Sequence, residues 1–244
     1  LPLGDITPEG LRALAAIAET YAAEVRSAIS QNLLLRFVPE EALGGLYEAL
    51  LEAGLALPEA HTLLDITRCP GADTCNLAIT RSRGLAQALE AHLSALPLAQ
   101  DPGAKAIGVK ISGCPNSCGQ HHIADIGFYG SSRKVGEREV PHYVLLLGGR
   151  TREGEARFGQ VVGRIPARRV PEAVERILKR YLEERQNGES FQAYLDRVGA
   201  ASFKPLLQDL QEVPPYEEAP EFYQDLGAEG EAFSVQLGRG ECAV

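Results

Sequence analysis

Apolar positions recur with helical spacing from the first turns of the chain. Thr7-Pro8-Glu9 reads as an N-cap, a first-turn proline and an early acid, and Leu11, Leu14, Ala18 and Tyr21 then share one face. A helix is predicted over about residues 8–22. Residues 24–38 (EVRSAISQNLLLRFV) hold an apolar run that suits a buried strand. Pro39-Glu40-Glu41 opens a second helix, which Gly54 closes. After Cys75, the stretch 76–93 (NLAITRSRGLAQALEAHL) reads as a helix ended near Pro97. Three strand-like runs follow, at 106–112, 124–130 and 142–149, the last two punctuated by glycine. Residues 170–185 form an amphipathic pattern with Pro171 near its start, and a short helix is predicted over 189–198. From about 203 the chain is acidic and proline-containing, which reads as an extended strap or partly ordered tail. There is no internal repeat.

Composition narrows the class. The chain has 244 residues, 45% apolar and 23% charged, enough for one large domain or two small ones and ordinary for a globular protein. No stretch approaches the ~20 apolar residues of a membrane-spanning helix, and no export signal opens the chain. A cytoplasmic protein with no membrane partner is expected. The sequence contains no methionine, even at its start, which reads as a piece of something longer. The net charge of −9 disfavours nucleic acid as a partner. Residues 133–185 nevertheless carry 13 basic and 8 acidic groups, while 186–244 carry 3 and 11. Two readings stay open for the basic stretch: solvated helix faces, or a docking surface for an acidic carrier.

The cysteines carry the chemistry. Cys69 and Cys75 enclose five residues in CPGADTC, Cys114 and Cys118 enclose three in CPNSC, and 38 residues separate the pairs. Disulfides fit an exported chain, of which there is no sign. Structural zinc favours C-x2-4-C pairs, and a thioredoxin-like dithiol needs C-x-x-C. A [4Fe–4S] cluster fits best, since its four iron corners accept thiolates from irregular loops, and the prolines and glycine beside Cys69 and Cys114 suit such loops. Cys242 does not fit this set and reads as incidental. His61, His92 and His142 sit in no motif.

RCPGADTCNLAIT and KISGCPNSCGQHHIADIGFYG resemble the C-x5-C and C-x3-C signatures of the siroheme-containing nitrite and sulfite reductases. SAISQNLLLRFVPEE resembles that family's ferredoxin-like half-domain, and the segments from HYVLLLGG to DRVG resemble its C-terminal region. The implied fold is α+β: a ferredoxin-like half-domain over 1–62, an α/β siroheme and iron–sulfur domain over 63–200, and an acidic C-terminal extension over 201–244.

The resemblance implies six-electron reduction of nitrite to ammonia or of sulfite to sulfide at a siroheme coupled to a [4Fe–4S] cluster. Cys69, Cys75, Cys114 and Cys118 would ligate the cluster, with Cys118 also tied to the siroheme iron. Lys110 is the candidate catalytic cation. Gln31, Asn32, Arg68, Arg81, Asn116, Gly148, Gly149 and Arg150 are the candidates for holding the carboxylate-rich macrocycle, by charge, amide or close backbone approach. His121 and His122 read as neighbours of the cofactor loop rather than as proton donors. Family members resemble two related halves in tandem, and one half is present here, so the chain reads as the C-terminal portion, completed by the missing N-terminal half or a second copy. No dinucleotide or P-loop fingerprint is present, so electrons are expected from ferredoxin or a flavoprotein. The competing readings are a cluster-only electron-transfer module, a small single-module sulfite reductase acting as a dimer, and a zinc-stabilised domain.

Overall fold

A computed structural model describes residues 1–21 and 24–235. The chain divides into two compact units, Leu1–His61 and Thr62–Val244. In the first, α1 (Pro8–Tyr21) is followed by a two-stranded antiparallel ribbon of β1 (Glu24–Ser27) and β2 (Leu33–Arg36), then by α2 (Leu43–Glu52). The single buried strand expected over 24–38 is thus a hairpin. Gln31, in the left-handed region at φ 63°, lies in its turn, and Ala28 N–H donates to Asn32 O at 2.8 Å.

The second unit is built on a five-stranded sheet in consecutive order: β3 (Thr67–Arg68), β4 (Val109–Ser112), β5 (Ile126–Val135), β6 (Arg138–Leu147) and β7 (Gln160–Pro166). The first three strands run parallel, and β5, β6 and β7 are antiparallel neighbours. Helices α3 (Ser82–Ser94), α4 (Pro102–Lys105), α5 (Val170–Glu184) and α6 (Phe191–Val198) complete it. Residues Val140–Leu147 of β6 are all buried, which explains the unbroken apolar run Tyr143–Leu147 where one-sided burial would give alternation. In α5, Val170, Ala173, Val174, Ile177, Leu178 and Tyr181 are fully buried at the 3- and 4-residue spacing of one helical stripe.

Two expectations change, and one strand, β7, was not predicted. The predicted helix over 76–93 begins only at Ser82, because Ile79 and Thr80 N–H donate to Gly113 O (2.8 and 3.0 Å) and Arg81 N–H to the Asp225 carboxylate (2.6 Å). Tertiary acceptors take the amides that would have opened the helix. Strand β7 carried no readable alternation, since a bulge between Leu145 and Leu146 shifts its pairing with β6. Residues 203–235 do not form a loose strap: Phe203, Leu207, Leu210, Tyr223 and Leu226 are buried, and short 3-10 turns of this segment pack on β6 and β7.

Opposite charges hold much of this arrangement. Arg176 pairs with Asp209 (2.7 Å), Arg168 with Glu229 (3.5 Å), and Arg150 and Arg157 with Asp196 (2.9 and 2.6 Å). The basic middle stretch therefore meets the acidic segment of its own chain, and these guanidiniums are engaged internally rather than presented as a free docking face. Each exposed pair contributes ~0–1 kcal/mol, so packing of the apolar residues carries most of the attachment. Phe203 tests this: it lies 6.2 Å edge-on from Tyr194 with the Arg180 guanidinium 4.6 Å over its ring. Phe203→Ala should cost about 3–5 kcal/mol in urea unfolding; a loss below ~1 kcal/mol would mean the segment is not part of the core. Among the described residues no helix is long and apolar enough to cross a membrane.

Candidate functional site

Parallel pairing of β3 and β4 places Arg68 opposite Ile111, so the loops that leave the two strands emerge side by side at their C-terminal ends. Cys69 comes directly after β3, and Cys114 lies two residues beyond β4. The join is tight: Cys69 N–H donates to Ile111 O (3.1 Å), and Gly113 N–H donates to Cys69 Sγ (3.1 Å). Gly113 O then accepts from Ile79 and Thr80 of the loop after Cys75. Two cysteine loops 38 residues apart in sequence are thereby laced into one.

Each loop has its own local reason. In the first, Gly71 at φ 66° allows the Gly71–Asp73 turn, and Cys75 N–H donates to Gly71 O (3.0 Å). A Cβ on Gly71 would lie 2.5 Å from both the nitrogen and Oγ of Ser82. In the second, Ser117 and Gln120 are both left-handed (φ 61° and 62°), an uncommon state for side chains other than glycine. Side chains hold it there: Ser112 Oγ accepts from Gly119 N–H (3.1 Å) and bonds His121 Nδ1 (2.8 Å), and His122 Nδ1 bonds Ser117 Oγ (2.9 Å).

Cys69 and Cys114 are buried, Cys75 is half-buried and Cys118 is exposed. Cys69, Cys75 and Cys118 are each near enough to Cys114 to act on it electrostatically. Burial pushes the Cys114 thiol up, the three neighbouring sulfurs add to this, and Asn116 N–H opposes it. A buried sulfur with three others in electrostatic range, and backbone N–H groups aimed at Cys69 and Cys114, form a donor set that fits a positively charged metal group. Among the described residues no three His, Cys, Asp or Glu side chains are grouped to hold a metal ion. A single zinc with bonds of ~2.3 Å would draw its sulfurs to within ~4 Å of one another, whereas the corners of a cube accept a wider set.

The other candidate residues are placed variously. Lys110, opposite Thr67 on β4, donates from Nζ to Gln120 Oε1 (3.2 Å) and Thr67 Oγ1 (3.4 Å); burial lowers its pKa and Asp65 opposes the shift. Arg68 is buried beside Cys69, and Asn116 is exposed at the tip of the second loop. The Arg81 guanidinium donates to Gly227 O (3.0 Å) and pairs with Glu231 (3.4 Å). Arg150 is held by Asp196 and Glu155. Gly148 is a left-handed turn residue (φ 82°), and a Cβ on Gly149 would lie 2.3 Å from His122 O, so its close approach is to the chain's own backbone. Gln31 and Asn32 belong to the first unit, where the Asn32 side chain accepts from the Leu1 amino group. Cys242 lies outside the described residues.

Sequence reasoning did not single out Ser82, Ser112 or Asp225. Asp225 accepts from Arg81 N–H and lines a cleft of about 360 Å³ with Cys75, Arg81, Glu231 and Phe233. Serines and a tail aspartate carry no spacing signal; only the fold brings them to the loops. His121 is fully buried, and burial, then His122, hold its pKa down to about 4. The unfolded chain takes up this proton near 6.5, so the stability from a neutral His121 is complete above that pH and is lost as pH falls through about 4. At 1.36 kcal/mol per unit the loss is roughly 3 kcal/mol. Asp225, held up to about 6 mainly by burial, has the opposite sign, so the comparison must be between proteins. His121→Asn should flatten the acid limb of stability relative to the parent chain; equal slopes in urea titrations from about pH 7 to about pH 4.5 would refute the assignment.

Residues 59–213 match the nitrite and sulphite reductase 4Fe-4S domain, and residues 1–53 the nitrite/sulfite reductase ferredoxin-like half domain. The chain is 33% identical over 155 residues to a ferredoxin–nitrite reductase of Synechococcus elongatus, covering 62% of this chain and 29% of that protein. It is 28% identical over 196 residues to the hemoprotein beta-component of an NADPH sulfite reductase from Methylobacterium nodulans, covering 79% and 31%. The solved structure of the Mycobacterium tuberculosis NirA protein superposes with a TM-score of 0.65 at 26% identity, covering 78% of this chain and 35% of that one. The chain thus spans about a third of the length of these proteins.

Proposed function

Since the chain belongs to the nitrite and sulfite reductase family, we propose that it takes part in the six-electron reduction of nitrite to ammonia or of sulfite to sulfide. The reading is carried by one observation: loops from the ends of two adjacent parallel strands bring Cys69, Cys75 and Cys118 into electrostatic range of Cys114. Cys69, Cys75, Cys114 and Cys118 would hold a [4Fe–4S] cluster. Cys118, the exposed sulfur, would also reach a siroheme. The two groups together would supply stored electrons and a redox-active iron for the reduction.

The chain's own residues do the rest. Gly113 N–H and Asn116 N–H stabilise negative charge on Cys69 and Cys114. The buried Ser112 to His121 contact fixes the backbone that presents Cys118. Lys110, whose ammonium is destabilised by burial, releases a proton more readily than an exposed lysine and is the candidate donor to a reacting oxyanion. Electrons come from a separate carrier, as the relatives' ferredoxin and NADPH systems suggest.

The test is purification of the chain under anaerobic conditions with iron, acid-labile sulfide and siroheme quantified together. Cluster iron, sulfide and the visible bands of the macrocycle in one preparation are the expected result. Zinc without iron would overturn the reading, and a cluster without the macrocycle would reduce the chain to an electron-transfer module.

A further inference from the structure

The Ser82 hydroxyl has one proton and two acceptors. It donates to Cys69 O at 2.6 Å, and its oxygen lies 3.4 Å from Cys69 Sγ. Ser82 is wholly buried and Cys69 nearly so, which leaves no water to compete for either contact. Serine at the start of a helix ordinarily caps it, but the cap position of α3 is Arg81, and no side-chain cap forms there. The hydroxyl is turned instead onto the cysteine. Gly71 makes the approach possible, because a Cβ there would lie 2.5 Å from Ser82 Oγ.

We infer that Ser82 is a positioning residue that sets the reduction potential of the cluster through Cys69, its hydroxyl turning from Cys69 O toward Cys69 Sγ when the cluster gains an electron. This rests on the cluster assignment made under Proposed function. One electron enters from the external carrier, no bond to hydrogen breaks, and the proton stays on Ser82 Oγ throughout. Added negative charge spreads onto the ligating sulfurs, so a donor that can reach Sγ stabilises the reduced form more than the oxidised one. Gly113 N–H, fixed on the same sulfur at 3.1 Å, supplies the constant part of that stabilisation, and Ser82 supplies the part that follows the electron.

The experiment is a potentiometric titration of the purified holoprotein, followed by the paramagnetic resonance of the reduced cluster, for the parent chain, Ser82→Ala and Ser82→Thr. Ser82→Ala should lower the ratio of reduced to oxidised cluster at a fixed potential about tenfold, which is about 59 mV for a one-electron couple. Ser82→Thr, which keeps the hydroxyl, should restore the parent value. In heavy water the reduced parent should show three exchangeable deuteron couplings, from Gly113, Asn116 and Ser82, and Ser82→Ala should retain two. An unchanged or raised potential in Ser82→Ala with an intact cluster overturns the inference and leaves the cofactor reading standing. A parent chain with no cluster signal overturns the cofactor reading and the inference with it. If Ser82→Ala loses its cluster, the parent couplings decide: a third beside those of Gly113 and Asn116 supports the inference, and only those two overturn it.

Discussion

Cys114→Ser is expected to empty the second unit of iron. Cys114 is buried where the two loops cross, and burial together with the sulfurs of Cys69, Cys118 and Cys75 makes its thiolate costly until a positive group arrives. Iron bound directly to the thiolate would remove that cost, so the sulfur would gain more from the metal than an exposed ligand. A serine hydroxyl is far less acidic and offers a harder, weaker donor in the same buried place. Iron and sulfide per chain should fall by about tenfold or more, with far-UV circular dichroism unchanged because the sheet does not depend on this side chain. Parent-like iron content in Cys114→Ser would remove Cys114 from the ligand set. It would also weaken the argument for the other three cysteines, which rests on their electrostatic reach to Cys114.

Gly130→Ala is expected to lower stability and iron content together. Gly130 lies within β5 opposite Tyr143, and a Cβ there would fall 2.1 Å from Thr80 Oγ1 and 2.3 Å from Gly113 O. That carbonyl is the acceptor which ties residues 79 and 80 to the second cysteine loop. A methyl group must displace backbone on one side or the other. The expected cost is about 3 kcal/mol, the upper end for overpacking, or roughly 6–12 °C in Tm. Iron retention should fall with it, since the displaced loops are those that carry Cys75 and Cys114. Gly44→Ala, on α2 in the first unit with nothing within 4 Å of the added Cβ, is the control and should stabilise slightly. A Gly130→Ala protein with parent-like Tm and iron would show that the contact relaxes at no cost.

Much of the fold was legible because its signal is local. The α5 stripe, the Thr7-Pro8-Glu9 helix start and the apolar run Tyr143–Leu147 of β6 each follow from spacing within a few turns. Misreadings arose where distant atoms decide. Residues 76–81 have a helical pattern, but Gly113 and Asp225 claim their amides. The acidic segment after 203 looks disordered by composition, yet Phe203, Leu207 and Leu210 find buried places, and its carboxylates find the arginines of the preceding stretch.

The candidate site divides along the same line. The sequence by itself determined the four cysteines, their two spacings and the loop-forming residues around them, because the turn preferences of proline and glycine and the identity of a sulfur ligand are written in consecutive residues. Only the tertiary structure decided that parallel pairing of β3 with β4 sets Cys69 beside Cys114, that Arg81 and Arg150 bind the chain's own carboxylates, and that Ser82 faces Cys69. The reason is physical: a hydrogen bond or ion pair acts over a few ångströms in space, and residues 13 to 150 positions apart reach that separation only when the sheet, its register and its packing have been formed.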